Sequence, residues 1–301
     1  MVKCSPKDFL FNGGALSSLS IVDLVQSFYP EASKTSIKEW IRLGRVSVGG
    51  EIVSEFSKTF SEEDKVSLLP LRKEKIVNGI KILYEDRSFV AINKPPQMLS
   101  VPTENGGNNA LALLRHHYQT SGIFPVHRID RDTSGLMIFA KGVRAKEQFS
   151  LLFEKHDILR YYIAILDGKL QTKKTRFESY LKELESYRVV SVTPKTEGAK
   201  KAVTHIKVLK ESKNFSYVLA QLETGRKHQI RVHCAEAGCP VVGDSVYGKR
   251  ESVSSKKMLL HALSLSFIHP FKKIPMNLRV PIPQYFSRLG FPDPYQHLNS
   301  L

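Results

Sequence analysis

The sequence predicts an α+β protein with a small separate part on its N-terminal side. Three observations lead there. Between about residues 80 and 283 strand patterns outnumber helical ones without alternating strictly with them, which argues for a mixed or antiparallel sheet. Residues 18–69 read instead as two short helices and a hairpin, a unit of RNA-binding-module size and too small for most enzymes. The 301 residues are 42% hydrophobic and 25% charged, the balance of a folded chain long enough to bury a core.

The elements follow in order. Residues 1–17 lack periodicity and carry Asn12-Gly13-Gly14, so an arm is expected. Ile21, Leu24, Val25 and Phe28 keep helical spacing until Pro30. Ser33 or Thr35 is placed to cap a second helix with Ile37, Trp40 and Ile41, which Gly44 ends. Residues 45–48 alternate, Gly49-Gly50 turns, and residues 51–53 return as a hairpin. The basic stretch from Pro70 opens a linker expected over 70–79. Strands are expected at 80–83, 88–92, 136–139, 161–166, 188–192, 202–209, 215–222 and 261–268, and helices at 110–118, 146–153 and 228–237. Residues 284–301, polar and broken by proline, read as a tail.

Charge narrows the partner. Lys and Arg number 45 against 29 Asp and Glu, a net +16, and the pI is about 9.7. Such a bias favours a polyanion, either nucleic acid or an anionic membrane face. No apolar run approaches the roughly 18 residues of a membrane span, and no basic amphipathic helix with a broad apolar face is long enough to lie on one. The N-terminal residues include Asp8 and no sustained apolar stretch, so no signal peptide is expected. Cys4, Cys234 and Cys239 give no disulfide framework and fit a reducing, cytoplasmic setting.

Two segments concentrate chemistry. Residues 126–135, VHRIDRDTSG, interleave two arginines with two aspartates before an apolar strand. They read as a charged turn with local ion pairs, or as a carboxylate held among guanidinium groups to act as nucleophile or base. Residues 224–233, TGRKHQIRVH, open at a glycine and run into a helix. They read as a solvent-facing basic helix, or as cations and amides gathered for a phosphate or carboxylate. Two other patterns fail. Residues 243–249 have P-loop spacing, but Arg250 stands where Ser or Thr should ligate magnesium. His233, Cys234, Cys239 and His261 lack the second close pair of a zinc site, so buried free cysteines are expected. Trp40, Tyr161, Tyr162 and Tyr247 lie near basic residues and are each either base-stacking or core aromatics.

Together the segments HRIDRDTSG, LRYYIAILDG, TGRKHQIRVH with GCPVVGDSVYG, LHALSLSFIHP and ILYEDRSFVAINKPPQMLSVP resemble, in order, the motifs of the RluA family of pseudouridine synthases. The resemblance covers residues 80–283, and residues 18–69 resemble the small RNA-binding module named after ribosomal protein S4. It implies a mixed, largely antiparallel sheet with a central cleft, and isomerisation of uridine to pseudouridine in RNA without cofactor or metal. It implies that Asp130 is the catalytic aspartate, Tyr162 the aromatic against the target base and Arg231 the partner of the aspartate. Arg128 matches the residue that fills the gap left by the flipped base, and Arg226, His228 and Leu260 are expected at the substrate. Arg160 stands where the motif usually has Lys, and Gly49-Gly50 where the module more often has Asn-Gly. The implied substrate is ribosomal RNA of the large subunit, with transfer RNA as the alternative, and a monomer is expected. A non-catalytic RNA-binding assembly factor is the other class, and it predicts loss of the carboxylate or its arginine, whereas Asp130 and Arg231 are both present.

Overall fold

The computed structural model describes residues 18–42, 44–53, 56, 58–68, 75–104, 106–170, 176–248 and 257–298; the expected arm, 1–17, lies outside them. The chain forms two compact units, Met1–Lys73 and Glu74–Leu301.

The first unit contains β1 (Leu19–Ser20), α1 (Ile21–Phe28), α2 (Lys34–Arg42), β2 (Val46–Val48), β3 (Glu51–Ile52), β4 (Thr59–Phe60) and β5 (Val66–Leu68). The Ser20 side chain caps α1 by accepting from Asp23 N, and Ser33 Oγ accepts from Ser36 N at 3.1 Å at the start of α2. The apolar positions read from the sequence become the core: Ile21, Leu24, Val25, Ile37, Ile41 and Val46 are fully buried. β2 pairs with both β3 and β5, and the two-residue turn into β3 puts Gly49 and Gly50 at φ of +60° and +89°. Positive φ at both positions is what a tight hairpin demands, which accounts for Gly-Gly there. Trp40 meets Tyr29 edge-on at 5.8 Å with Arg45 over its face, so it packs within its own unit.

The second unit is built on β6 (Lys75–Val77), β7 (Ile80–Glu85), β8 (Phe89–Lys94), α3 (Ala110–Tyr118), β9 (Ile123–Pro125), β10 (Ser134–Lys141), α4 (Val143–Glu154), β11 (Leu159–Asp167), β12 (Arg176–Glu183), β13 (Val189–Val192), β14 (Lys200–Glu211), β15 (Phe215–Leu222), α5 (Gln229–Glu236), β16 (Leu260–Ile268), β17 (Pro275–Arg279) and α6 (Gln284–Ser287). Its strands form one sheet in the order β13-β12-β14-β15-β11-β16-β10-β8-β7-β6, with β17 added to β16 and β9 to β10. Apolar side chains cover both faces. Ile92, Met137, Ala164 and Ala220 share one face with α3 and α5, while Ala91, Ile138, Ile163 and Leu219 face the other. Burial on both faces explains why β8, β10, β11 and β15 read as nearly continuous apolar runs.

One pairing sets the position of the site. β10 and β16 run parallel, whereas the other ladders between these strands are antiparallel, so the segments preceding both strands emerge at one end of the sheet. Gly135 permits the contact. Its φ is +114°, and a Cβ there would overlap the Ala262 backbone.

Three expectations change. Residues 75–77, read as linker, form β6, returned against β7 through Asn78 and Gly79, both at positive φ. The rest of that linker, 70–74, lies outside the described residues. Residues 284–298, read as a tail, form α6 and a 3-10 turn at Pro294–His297 that pack on the sheet and bury Phe286 and Leu298. β12 and β17 were not expected, because their outward positions carry Glu178, Lys182 and Asn277 and break the apolar pattern of a buried strand.

Candidate active site

Asp130 sits in the loop that leads into β10, and Arg231 lies in the first turn of α5. Arg231 Nη1 donates to Asp130 Oδ2 at 3.1 Å. The arginine is itself held from behind. Its Nε and Nη2 donate to the two oxygens of Asp244 at 2.7 and 2.8 Å, a bidentate bond in the interior. Asp244 is fixed in turn by the backbone N–H groups of Val246 and Tyr247, at 2.9 and 3.1 Å. Burial opposes charge on Arg231, but the bonds from Asp244 and the charge of Asp130 outweigh it and hold the guanidinium above its ordinary value. Burial likewise opposes charge on Asp244, and Arg231 overcomes it, so that carboxyl lies below the ordinary range. Asp130 Oδ1 takes no hydrogen bond from the described residues and remains the open oxygen.

The aspartate loop is clamped by Lys94 and Ser100, which precede their partners in it by 37 and 29 residues. Lys94, fully buried at the end of β8, donates to the carbonyls of Pro95, Met98 and Arg131 at 3.0, 2.7 and 3.0 Å. Burial pulls it down to about 7, against the charges of Asp130 and Asp132. Ser100 Oγ donates to Ile129 O at 2.7 Å and accepts from Ile129 N at 3.3 Å. The loop is therefore gripped on both sides of Asp130.

The other wall comes from residues 224–231. Gln229 organises it: Oε1 accepts from Thr224 Oγ1 and Arg226 N, and Nε2 donates to Val203 O and Thr204 Oγ1. His228 adopts φ +55° at the start of α5, and its Nδ1 lies 2.9 Å from the Tyr247 hydroxyl. That hydroxyl donates to Val189 O and accepts from Val189 N, so the ring serves it as a donor from Nδ1. Burial draws His228 below its ordinary value, against the pull of Asp130.

Between these walls lies a cavity of about 440 Å³. Asp130, Tyr162, Arg231, Arg128, Arg226, His228 and Leu260, the residues expected at the site, all line it. Leu260 begins β16, and Tyr162 stands on β11 opposite Ala262. Burial pushes the Tyr162 phenol up to about 12, so it stays protonated and neutral. Arg128 is exposed and makes no hydrogen bond or ion pair with a described residue. Of the four aromatics picked out in the sequence, only Tyr162 lines this cavity: Tyr161 is buried on the opposite face and the Tyr247 ring covers Arg231 at 5.1 Å. Cys234 and Cys239 are buried thiols outside any disulfide, and Cys239 donates to Lys169 O.

Sequence reasoning missed Asp244, Lys94 and Ser100. Asp244 stood inside the string weighed as a P-loop, and Lys94 and Ser100 inside one taken only as a domain opening. A lone Asp after Gly243 and a lone Lys before Pro95-Pro96 were the available signals.

What the arrangement offers is a fixed carboxylate with one open oxygen, a neutral aromatic beside it and cations around the mouth. The RNA pseudouridylate synthase family matches residues 88–236. The uncharacterized RNA pseudouridine synthase YhcT of Bacillus subtilis is 35% identical over 86% of this chain and 88% of its own. Ribosomal large subunit pseudouridine synthase D is 32% identical in Buchnera aphidicola subsp. Acyrthosiphon pisum, over 89% of this chain and 93% of that one. In Salmonella typhimurium it is 33% identical over 85% of each chain. Among solved structures, human RNA Pseudouridylate Synthase Domain Containing 1 superposes with a TM-score of 0.58 at 25% identity, over 71% of this chain and 88% of that one. Human RNA Pseudouridylate Synthase Domain Containing 4 does so with 0.57 at 24% identity, over 68% and 90%. With a third of its residues shared over most of its length, this chain belongs to the RNA pseudouridylate synthase family.

Proposed function

We propose that this enzyme converts uridines of large-subunit ribosomal RNA to pseudouridine, with Asp130 as the reacting carboxylate and no cofactor. The observation that carries the mechanism is the chain Asp244–Arg231–Asp130 at the wall of a nucleotide-sized cavity. The ribosomal substrate rests on relatives named ribosomal large subunit pseudouridine synthase D.

The reaction breaks the bond from uracil N1 to ribose C1′, turns the base and joins C5 to C1′. The C5 proton leaves and N1 gains one, so composition and oxidation state are unchanged and neither redox partner nor hydrolysis is needed. Asp130 acts from its open oxygen, attacking the ribose or the base or removing a proton from the ribose, while Arg231 fixes the other oxygen and balances its charge. Tyr162 holds the detached uracil by stacking and keeps water from it. A uridine in structured RNA must first leave its stack, and Arg128, free at the mouth, enters the vacated space. The net charge of +16 supplies phosphate attraction that depends on salt. The unit at 18–69 is assigned an RNA-holding role as a module of the S4 type, and the enzyme works as a monomer in the cytoplasm.

The test is pseudouridine mapping of total RNA, by carbodiimide adducts, from cells with and without the gene. Loss of signal at discrete large-subunit uridines, restored by the wild-type chain and not by Asp130→Ala, is expected. Loss confined to transfer RNA would move the substrate. Restoration by Asp130→Ala would remove that residue from the chemistry.

A further inference from the structure

Two guanidinium groups are buried in the wall of the cavity, and they are differently committed. Arg231 is occupied by Asp244 and Asp130. Arg160, on β11, is only 7% exposed yet makes no ion pair with a described residue. Its Nη2 reaches the Glu223 carbonyl at 3.3 Å, and its Nε is buried with no hydrogen-bond partner among the described residues. A buried cation with no counter-charge is costly to a fold. Burial draws its pKa down against the pull of Tyr162, and the nearby Arg226 adds to the lowering.

The surroundings are built to keep the group there. Gly225 lies outside the left-handed region, and a Cβ there would overlap Arg160 Nη1. The guanidinium also lies over the Phe153 ring at 5.8 Å, which limits its swing. Arg160 and Tyr162 are two apart on one strand and so project to the same face, beside the opening that holds Asp130. Arg226 lines the same cavity and is anchored only through Nε, to Lys201 O at 2.9 Å, leaving its terminal nitrogens for a ligand.

We propose that Arg160 and Arg226 form a phosphate subsite that takes the phosphodiester adjoining the target uridine, while Tyr162 and Asp130 take the nucleoside. The proposal rests on reading the cavity as the uridine site. A planar guanidinium pairs with two phosphate oxygens at once, a fit that an ammonium lacks. The subsite holds the nucleotide by its backbone, so the uracil can detach and turn while the ribose stays in register with Asp130.

The experiment uses the full-length enzyme and an RNA carrying one mapped target uridine. A neutral methylphosphonate replaces the linkage on its 5′ or its 3′ side. For the wild type, one linkage is expected to lower kcat/KM by about tenfold or more, the loss of a charge-assisted hydrogen bond. Arg160→Gln should lose as much on unmodified RNA and almost nothing further on the neutral linkage. Its affinity should also depend less on salt, by about one unit of the log–log slope. Arg160→Lys should recover part of the rate. Equal penalties for wild type and Arg160→Gln, or no penalty from either linkage on the wild type, would overturn the subsite. The second arm needs no variant, so a poorly folded Arg160→Gln leaves the proposal open to refutation. A wild type that makes no pseudouridine in unmodified RNA would instead overturn the reading of the cavity, and the subsite with it.

Discussion

Asp244 aims Arg231. The carboxylate grips Nε and Nη2 of the arginine at 2.7 and 2.8 Å, and only the remaining Nη1 reaches Asp130. The second aspartate lies 13 residues beyond the arginine and the first 101 before it, so three distant segments meet in one line of charge.

Asp244→Asn replaces one of the two gripping oxygens with an N–H donor that faces another donor. Breaking a buried ion pair on one side costs about 3–5 kcal/mol, and a freed Arg231 no longer fixes Asp130. Urea unfolding and single-turnover rates on the same preparation are the check. Stability should fall, and turnover should fall about tenfold or more with RNA affinity nearly kept. Full turnover in a destabilised variant would reduce Asp244 to a packing role.

Lys94→Met keeps the length of the side chain and deletes the ammonium that binds three carbonyls. Stranded carbonyls cost about 1–3 kcal/mol each when water cannot reach them. Hydrogen exchange at the Ile129 amide should accelerate, because the loop loses one of its two clamps. Unchanged exchange there, with a normal rate, would contradict the clamp.

Gly135→Ala tests the junction of β10 and β16. The methyl group would meet Ala262 backbone, which cannot yield as a flexible side chain can, and φ of +114° is hostile to alanine. A loss of about 2–4 kcal/mol, or insoluble protein, is expected. A near-normal urea midpoint would mean that the strands separate there at little cost.

Acid should unfold the second unit through its histidines. Burial holds His127 and His261 neutral, each down at about 3, and Ile138 N–H donates to His127 Nε2, a bond the protonated ring cannot accept. Their folded pKa lies below the ordinary 6.5, so the unfolded chain binds the extra protons. Stability is therefore intact above about pH 6.5 and is lost as pH falls toward 3, by up to about 2.7 kcal/mol per unit for the pair. Proton uptake on unfolding, measured at pH 5, should include these two. No uptake near pH 5 would contradict neutral rings.

Local pattern carried the elements whose signal is local. The helices of 21–28 and 110–118 and the strand of 215–222 appear where their periodicity places them, because period and burial agree there. Tyr162, Arg231 and Asp130 were named in the sequence, and all three line the cavity. Asp244 was not, because nothing within ten residues of it reveals a buried arginine; the pairing exists only once α5 packs. The tail was misread for a similar reason. Phe286 and Leu298 are too sparse to make a pattern alone, and their burial depends on a surface supplied by Ile163, Leu219 and Leu263.

The parallel junction of β10 with β16 also dictates when the enzyme can exist during its own folding. Asp130 precedes β10, and Arg231 comes from the part of the chain between β11 and β16, so neither half of the sheet holds both. Closing a loop of this length costs entropy before any contact across it gives a return, which makes such a pairing a late event. With either half formed alone, Asp130 and Arg231 do not meet and there is no reactive centre. Turnover thus serves as a stopwatch for the last step of assembly.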